Sequence, residues 1–389
     1  MSGTPIISSI FLIFAGAAVL STIALYTRQS LLVAYMLLGV LLGPALLNLA
    51  PETETIKQIG NIGIIFLLFL LGLNLHPQNL LHMLSKTLWI GLISSLAFGA
   101  LGFGISYLFG FSYIACLIIA AAMTFSSTII GLKLLPTTIL HHQHTGEVMI
   151  SILLFQDILA IAVLLLLYTA GEAGFNWLDA LKIILGFPSL ILAGFLIERY
   201  VLQKLFMHFD RIQEYIFLVA IGWCLSMAEL AKYVGLSDEI GAFVAGVVLA
   251  TNPIALYISE SLKPLRDFFL VMFFFSVGAG YDLRVFPEVW LPACILAGLI
   301  LVVKPWVFSK LLVHTNEPKD VAWEVGVRLG QVSEFSLLVG YIATANQLVE
   351  LKASYLIQTV TLITFIASSY WVVMKYPTPV TLSDRLRRN

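Results

Sequence analysis

Met149-Ile150-Ser151-Ile152-Leu153-Leu154-Phe155-Gln156-Asp157-Ile158-Leu159-Ala160-Ile161-Ala162-Val163-Leu164-Leu165-Leu166-Leu167-Tyr168 is an apolar run with a carboxylate near its middle. A hydrocarbon core about 30 Å thick is crossed by about 20 predominantly apolar residues in an α-helix. The run therefore predicts a membrane helix. An acid at its centre costs about 2.5–3.5 kcal/mol on insertion scales, more if unpaired, so Asp157 marks a candidate transport site.

The rest of the chain has the same character. Of its 389 residues 60% are hydrophobic and 11% charged, and the mean hydropathy is +0.98. These values predict an all-α polytopic membrane protein, and the absence of strand alternation excludes a barrel. Thirteen spans are predicted, at residues 5–25, 30–49, 58–75, 87–109, 112–134, 147–169, 178–197, 213–231, 238–251, 265–281, 289–312, 321–346 and 353–374. The first span follows only Met1 to Thr4, with no basic stretch or processing site, so a cleaved signal is not expected.

An odd number of spans puts the termini on opposite sides. With the N-terminus outside, the outer segments hold Lys57, Lys182, Lys232, Arg284 and Lys352. Most other basic residues, among them Arg28, Lys86, Lys133, Arg199, Lys263, Lys310 and Arg385, fall inside. This bias predicts an inner-membrane protein with its C-terminus in the cytoplasm. The connections are short, so neither a soluble catalytic domain nor a regulatory one is expected, and no enzyme activity or cofactor either. A net charge of −1 leaves no footprint for nucleic acid. Cys116, Cys224 and Cys294 read as small residues buried within spans.

The two halves resemble each other. Ala34 to Gly43 lies over Gly241 to Ala250, which sets Gly39 on Gly246, and nearly the same offset sets Gly72 on Gly278 and Ser126-Ser127 on Ser333-Glu334. Partners stand seven spans apart, so the repeats, about 5–169 and 213–374 with a linking helix at 178–197, must be inverted within one transmembrane domain spanning 1–389. Inverted repeats with sites near the midplane mark secondary transporters. Chance likeness between glycine-bearing apolar helices is the alternative.

Spans 5 and 12 lose their apolar pattern at mid-depth, in Thr124-Phe125-Ser126-Ser127-Thr128 and in Arg328-Leu329-Gly330-Gln331-Val332-Ser333-Glu334. Non-helical backbone at that depth needs protein or a wet cavity around it, and two broken helices at equivalent positions would offer carbonyls to a cation. Ordinary interhelical hydrogen bonding accounts for either segment taken alone. Lys304, inside span 11, calls for a carboxylate, backbone carbonyls or snorkelling. Asp157 and Glu334 are the expected acids, with Arg328 competing for them. Asp282 with Arg284 and Glu260 with Lys263 read as interfacial charges. His141-His142-Gln143-His144 reads as a solvated loop rather than a metal or pH-sensing cluster.

Taken in order, Ser126-Ser127-Thr128, Gln156-Asp157, Gly241 to Ala250, Phe273-Phe274-Phe275-Ser276-Val277-Gly278, Lys304 and Gly330-Gln331-Val332-Ser333-Glu334-Phe335 resemble the monovalent cation:proton antiporter-2 family. Within it they are most similar to the membrane part of the glutathione-gated potassium-efflux (Kef) branch, over nearly the whole chain. The resemblance implies a sodium/proton antiporter-like fold with two crossed, discontinuous helices, a homodimer, and elevator-type alternating access. It also implies that Asp157 binds cation or proton in turn, with Gln156 where other branches carry Asn or Asp and Lys304 as the basic residue of the core. The polar constellation itself adds Ser126, Ser127 and Thr128 to the expected binding position and Glu334, Arg328, Gln331 and Ser333 to the charged core, Arg328 standing where the branch has a small or apolar residue. The segment Tyr257 to Asp267, where that branch has its regulatory loop, departs from the branch's pattern. Gating by glutathione is therefore not expected, though a separate cytosolic regulatory subunit could dock on the inner face.

The function expected is one-for-one exchange of K⁺ or Na⁺ for H⁺, with no resident metal beyond the transported cation. A ligand-gated, channel-like cation module is the other class. Inverted-repeat organic-anion symport and intramembrane proteolysis fit less well, because the first does not need Lys304 and the second needs another aspartate in a Gly-Asp setting.

Overall fold

The computed structural model describes residues 6–27, 29–49, 53–74, 77–128, 131, 144–171, 177–209, 212–234 and 236–376. Among these residues regular structure is helical throughout, as lipid requires of a chain that must satisfy each backbone group within its own segment. The first half runs α1 (Ile6–Tyr26), α2 (Leu31–Leu42), α3 (Thr53–Asn74), α4 (Pro77–Leu108), α5 (Tyr113–Thr124), α6 (His144–Gly171) and α7 (Trp177–Ile197). A π turn, Glu198–Leu202, carries α7 into the short α8 (Gln203–Phe209). Then follow α9 (Gln213–Tyr233), α10 (Asp238–Leu249), α11 (Ala255–Ala279), α12 (Phe286–His314), α13 (Lys319–Arg328), α14 (Glu334–Ala345) and α15 (Leu351–Lys375).

Ile7–Tyr26, Leu88–Leu108, Gln213–Tyr233, Phe286–His314 and Leu351–Lys375 are each long and apolar enough to cross a membrane alone. Helices α2, α5 and α14 are apolar but shorter. The span expected at 321–346 is two helices, α13 and α14, and within the one expected at 112–134 helix α5 ends at Thr124. Tyr257 to Asp267, read as a loop, forms the first turns of α11. His141, His142 and Gln143 lie outside the described residues. Cys116 and Cys224 are buried, but Cys294 is exposed on α12, because an apolar residue of a membrane helix can face lipid as well as protein.

The chain divides into two compact units that cut across the sequence halves. One comprises Met1–Gly16, Met36–His82 and Tyr168–Gly280; the other comprises Ala17–Tyr35, Met83–Leu167 and Tyr281–Asn389. In the first, α3 packs along both α10 and α11. Hydrophobic burial does not hold helices together in lipid, so close backbone approach has to, and glycine permits it. A methyl at Gly39 would stand 2.1 Å from the Phe275 carbonyl oxygen, and one at Gly278 would stand 2.0 Å from that of Met36. The same happens where α3 meets α10: methyls at Gly72 and Gly246 would stand 2.5 Å and 2.1 Å from the oxygens of Phe243 and Phe69. The sequence offset sets Gly39 on Gly246 and Gly72 on Gly278, so it carries one contact onto the other.

In the second unit, α4, α6, α12 and α13 share an apolar core that includes Ile90, Phe98, Met149, Ile152, Phe308, Val325 and Leu329. Helix α15 packs against α12, α14, α13 and α5. Its buried residues mix apolar with polar side chains, and Ser354, Thr361, Thr364, Ser368 and Ser369 are all enclosed.

Candidate transport site

Ser112 caps α5, its hydroxyl accepting from the Ala115 amide, and the helix ends twelve residues later. Phe125 is extended at φ −82°, ψ 146°, and helical geometry returns at Thr128. Ser and Thr offer the backbone local alternatives to the helix ladder, which makes this cluster a favourable place to interrupt it. The interruption frees backbone groups that lipid cannot satisfy. Two of them meet one side chain: Gln156 Oε1 accepts from the Ser126 amide at 2.9 Å, and Gln156 Nε2 donates to the Thr124 carbonyl at 3.1 Å. A single amide side chain thus pairs with the exposed backbone as a neighbouring strand would.

The second interruption begins after Arg328. Leu329 (φ −102°, ψ 11°) closes α13, and Ser333 (φ −101°, ψ 156°) caps α14, its hydroxyl accepting from the Phe335 amide at 3.1 Å. Between them the Val332 amide donates to Thr364 Oγ1 at 3.2 Å, and Gln331 Oε1 accepts from Ser368 Oγ at 2.9 Å. The two interruptions touch. Gln331 Nε2 donates to the Ser127 carbonyl at 3.3 Å, and the Ser336 hydroxyl donates to the carbonyl of Ala122.

Lys304 stitches them together. Its ammonium is fully enclosed and donates to Phe125 O at 2.6 Å, Gln331 O at 3.2 Å and Ser126 Oγ at 3.3 Å, with the Phe98 ring 5.1 Å away. Each break contributes one carbonyl. The sequence suggested Asp157 or Glu334 as its counter-charge. Among the described residues no carboxylate comes within ion-pair distance of it, because carbonyls freed at two helix ends already carry the partial negative charge an ammonium needs. Glu334 instead opens α14, where a carboxylate complements the positive end of the helix, and it accepts from Ser333 Oγ at 3.5 Å. Arg328 does not compete for the core acids either. It pairs with Glu324 one turn earlier, Nε and Nη2 both lying 2.8 Å from Oε1.

Asp157 stands in α6 next to Gln156 and is 2% exposed. Oδ1 accepts from Thr128 Oγ1 at 3.4 Å, while Oδ2 has no hydrogen-bond donor among the described residues. A buried carboxylate left in that state is costly unless a proton or a cation joins it. Of the residues grouped with Asp157 from the sequence, Thr128 reaches it. Gln156, Ser126 and the Ser127 carbonyl are engaged in holding the crossing.

A family model described as "Sodium/hydrogen exchanger, transmembrane" matches residues 10–374. The chain belongs to the sodium/hydrogen exchanger family. It is 30% identical to the glutathione-regulated potassium-efflux system protein KefC of Enterobacter sp. (strain 638) over 87% of this chain and 55% of that protein. It is 29% identical to the KefC of Cronobacter sakazakii (strain ATCC BAA-894) over 84% of this chain and 54% of that one. The chain thus spans about half the length of the curated relatives it matches. In fold, this exchanger-family chain is similar to the sodium proton antiporter MjNhaP1 of Methanocaldococcus jannaschii, with a TM-score of 0.70, 17% identity and coverage of 95% and 97% of the two chains.

The sequence reading missed Thr364, Ser368, Glu324 and Tyr376. Thr364 and Ser368 carried a signal, since two hydroxyls four residues apart share a helix face. Tyr376 carried none.

Proposed function

We propose that this chain is a secondary active antiporter that exchanges a monovalent cation for a proton at Asp157. The observation that carries the reading is the state of that carboxylate: enclosed in a membrane helix beside two crossed helix breaks, one oxygen held by Thr128 and the other without a donor among the described residues. One proton or one cation each neutralises it, and the two compete for the same atom. Similarity to proteins named as potassium-efflux systems favours K⁺ over Na⁺. With a single acid in the Gln156-Asp157 pair, we read the exchange as one for one and electroneutral. Movement of the unit that holds the crossing, in an elevator-type cycle within an inner-membrane homodimer, is the accompanying mechanical reading.

The test is a reconstituted one. Purified protein in liposomes with an imposed pH gradient receives K⁺, Na⁺, Rb⁺ and Li⁺ in turn. An antiporter moves protons when the accepted cation is added, with K⁺ the most effective. Cation flux without proton movement would make the chain a channel-like module instead.

A further inference from the structure

Arg328 is the largest side chain in the core of its unit and has no part in the exchange chemistry above. It is 1% exposed, and its carboxylate partner, Glu324, belongs to the same helix. That pair alone cannot hold α13 to anything. Beyond that pair Arg328 also meets Tyr376, the residue that follows α15: the guanidinium carbon lies 5.4 Å from the ring centroid, inside the range of about 6 Å for a cation–π contact. A reciprocal contact runs the other way, with Lys375 Nζ of α15 lying 5.9 Å from the ring of Trp323 on α13. Burial first, and then the Glu324 carboxylate, pushes the Tyr376 phenol up to about 12. Arg328 therefore meets a neutral ring throughout the physiological range.

These contacts extend a row already in place. Thr364 and Ser368 hold Val332 and Gln331, Ser368 lying four residues along from Thr364 and Lys375 eleven, about one and three turns of the helix. At 100° per residue these positions fall on nearly one face of α15, over about 16 Å. Only Leu329 and Gly330 separate Arg328 from Gln331, whose carbonyl is one of the acceptors of Lys304. Shifting the end of α13 moves that carbonyl. Lys304 passes the displacement to Phe125 and Ser126, beside the amide of Gln156.

We infer that Arg328 and Tyr376 are positioning residues for the exchange proposed above, docking the end of α13 on the end of α15 so that the non-helical segment 329–333 keeps its place at the crossing. The inference rests on that exchange reading. Neither residue touches Asp157, so losing the contact slows the cycle rather than weakening cation binding.

The experiment compares wild-type protein with Tyr376→Phe, Tyr376→Ala and Arg328→Lys, purified as the full chain and reconstituted. Proton movement is read against K⁺ concentration, and amide hydrogen exchange is read on the peptide covering 329–336. Tyr376→Phe keeps the ring and is expected to behave as wild type. Tyr376→Ala and Arg328→Lys are expected to lower the maximal rate about tenfold, the loss of one desolvated cation–π contact. The K⁺ concentration for half-maximal rate should stay within about twofold, as for a change that spares binding. Protection should fall at 329–333 and not across α4 or α15, which separates positioning from a general loss of stability. A Tyr376→Ala variant with wild-type rate and wild-type protection overturns the inference, as does a Tyr376→Phe variant as impaired as Tyr376→Ala. If the wild-type chain moves no protons with any cation, the exchange reading fails, and the docking is then judged on protection at 329–333 alone.

Discussion

Gln156 reaches across to the interrupted backbone of α5 and pairs with Ser126, its oxygen 2.9 Å from the Ser126 amide, while its nitrogen donates to the carbonyl of Thr124. Both polar ends of the side chain are thereby engaged beside Asp157. The residue preceding the acid thus holds the break.

Gln156→Leu should therefore act on the fold before it acts on ion choice. Leaving two buried backbone groups without partners costs about 1–3 kcal/mol each by soluble-protein measures, although membrane hydrogen bonds average nearer 0.6 kcal/mol. We expect a lower melting temperature in detergent and little remaining exchange. Gln156→Glu, which keeps an acceptor for Ser126 but no donor for Thr124, should fall between. A Gln156→Leu protein of normal stability with altered K⁺/Na⁺ preference would return Gln156 to the role of ligand.

Asp157→Asn replaces the carboxylate with a near-isostere that can carry neither the cation's counter-charge nor the exchanged proton. Cation-driven proton movement should vanish while the size-exclusion profile and melting temperature remain. Substantial exchange by this variant would remove Asp157 from the mechanism.

Lys304 and Glu334 should prove energetically separate. Lys304→Gln takes the donor from two buried carbonyls and is expected to cost about 2 kcal/mol in all, with some exchange surviving. Glu334→Gln leaves every contact of Lys304 in place. Because the two share no hydrogen bond, a double-mutant cycle on thermal stability should give a coupling below about 0.5 kcal/mol. A coupling of several kcal/mol would restore the ion pair that the sequence suggested.

The glycine contacts make a contrast that transport assays are not needed to test. Gly39→Ala and Gly246→Ala place a methyl against backbone oxygen at 2.1 Å and should destabilise by about 1–3 kcal/mol or more, as overpacking does. Gly104→Ala and Gly222→Ala, where nothing lies within 4 Å, should be neutral or gain up to about 1 kcal/mol from helix propensity. Equal melting temperatures across the four would contradict the close approach.

The places where the fold breaks its own rules were the easiest to read from sequence. Thr124 to Thr128 and Gly330 to Ser333 interrupt apolar patterns, so both helix breaks announce themselves, and a lone Asp157 in twenty apolar residues does the same. The glycine correspondence was legible because close approach admits one residue type. What stayed hidden depends on direction rather than composition. Lys304 shows its charge in the sequence, but the carbonyls that receive it exist only once both helices have broken and crossed. That Gln156 pairs with the broken backbone stayed hidden too, because a side chain's aim at a break follows no periodicity. The start of α11 was misread because Pro264, with Glu260, Lys263 and Arg266 around it, has the composition of a connection, yet the helix runs through it.

Lys304 has one more implication. Its ammonium is bound to the chain itself, so while it keeps its proton the positive charge at the crossing is the same in either direction of a cycle. Whatever distance the crossing travels, that charge makes the outward and return journeys alike and cancels over a full turn. In the exchange proposed here, with Lys304 and Glu334 each holding one charge state through the cycle, the electrical signature of transport is then set by the occupant of Asp157.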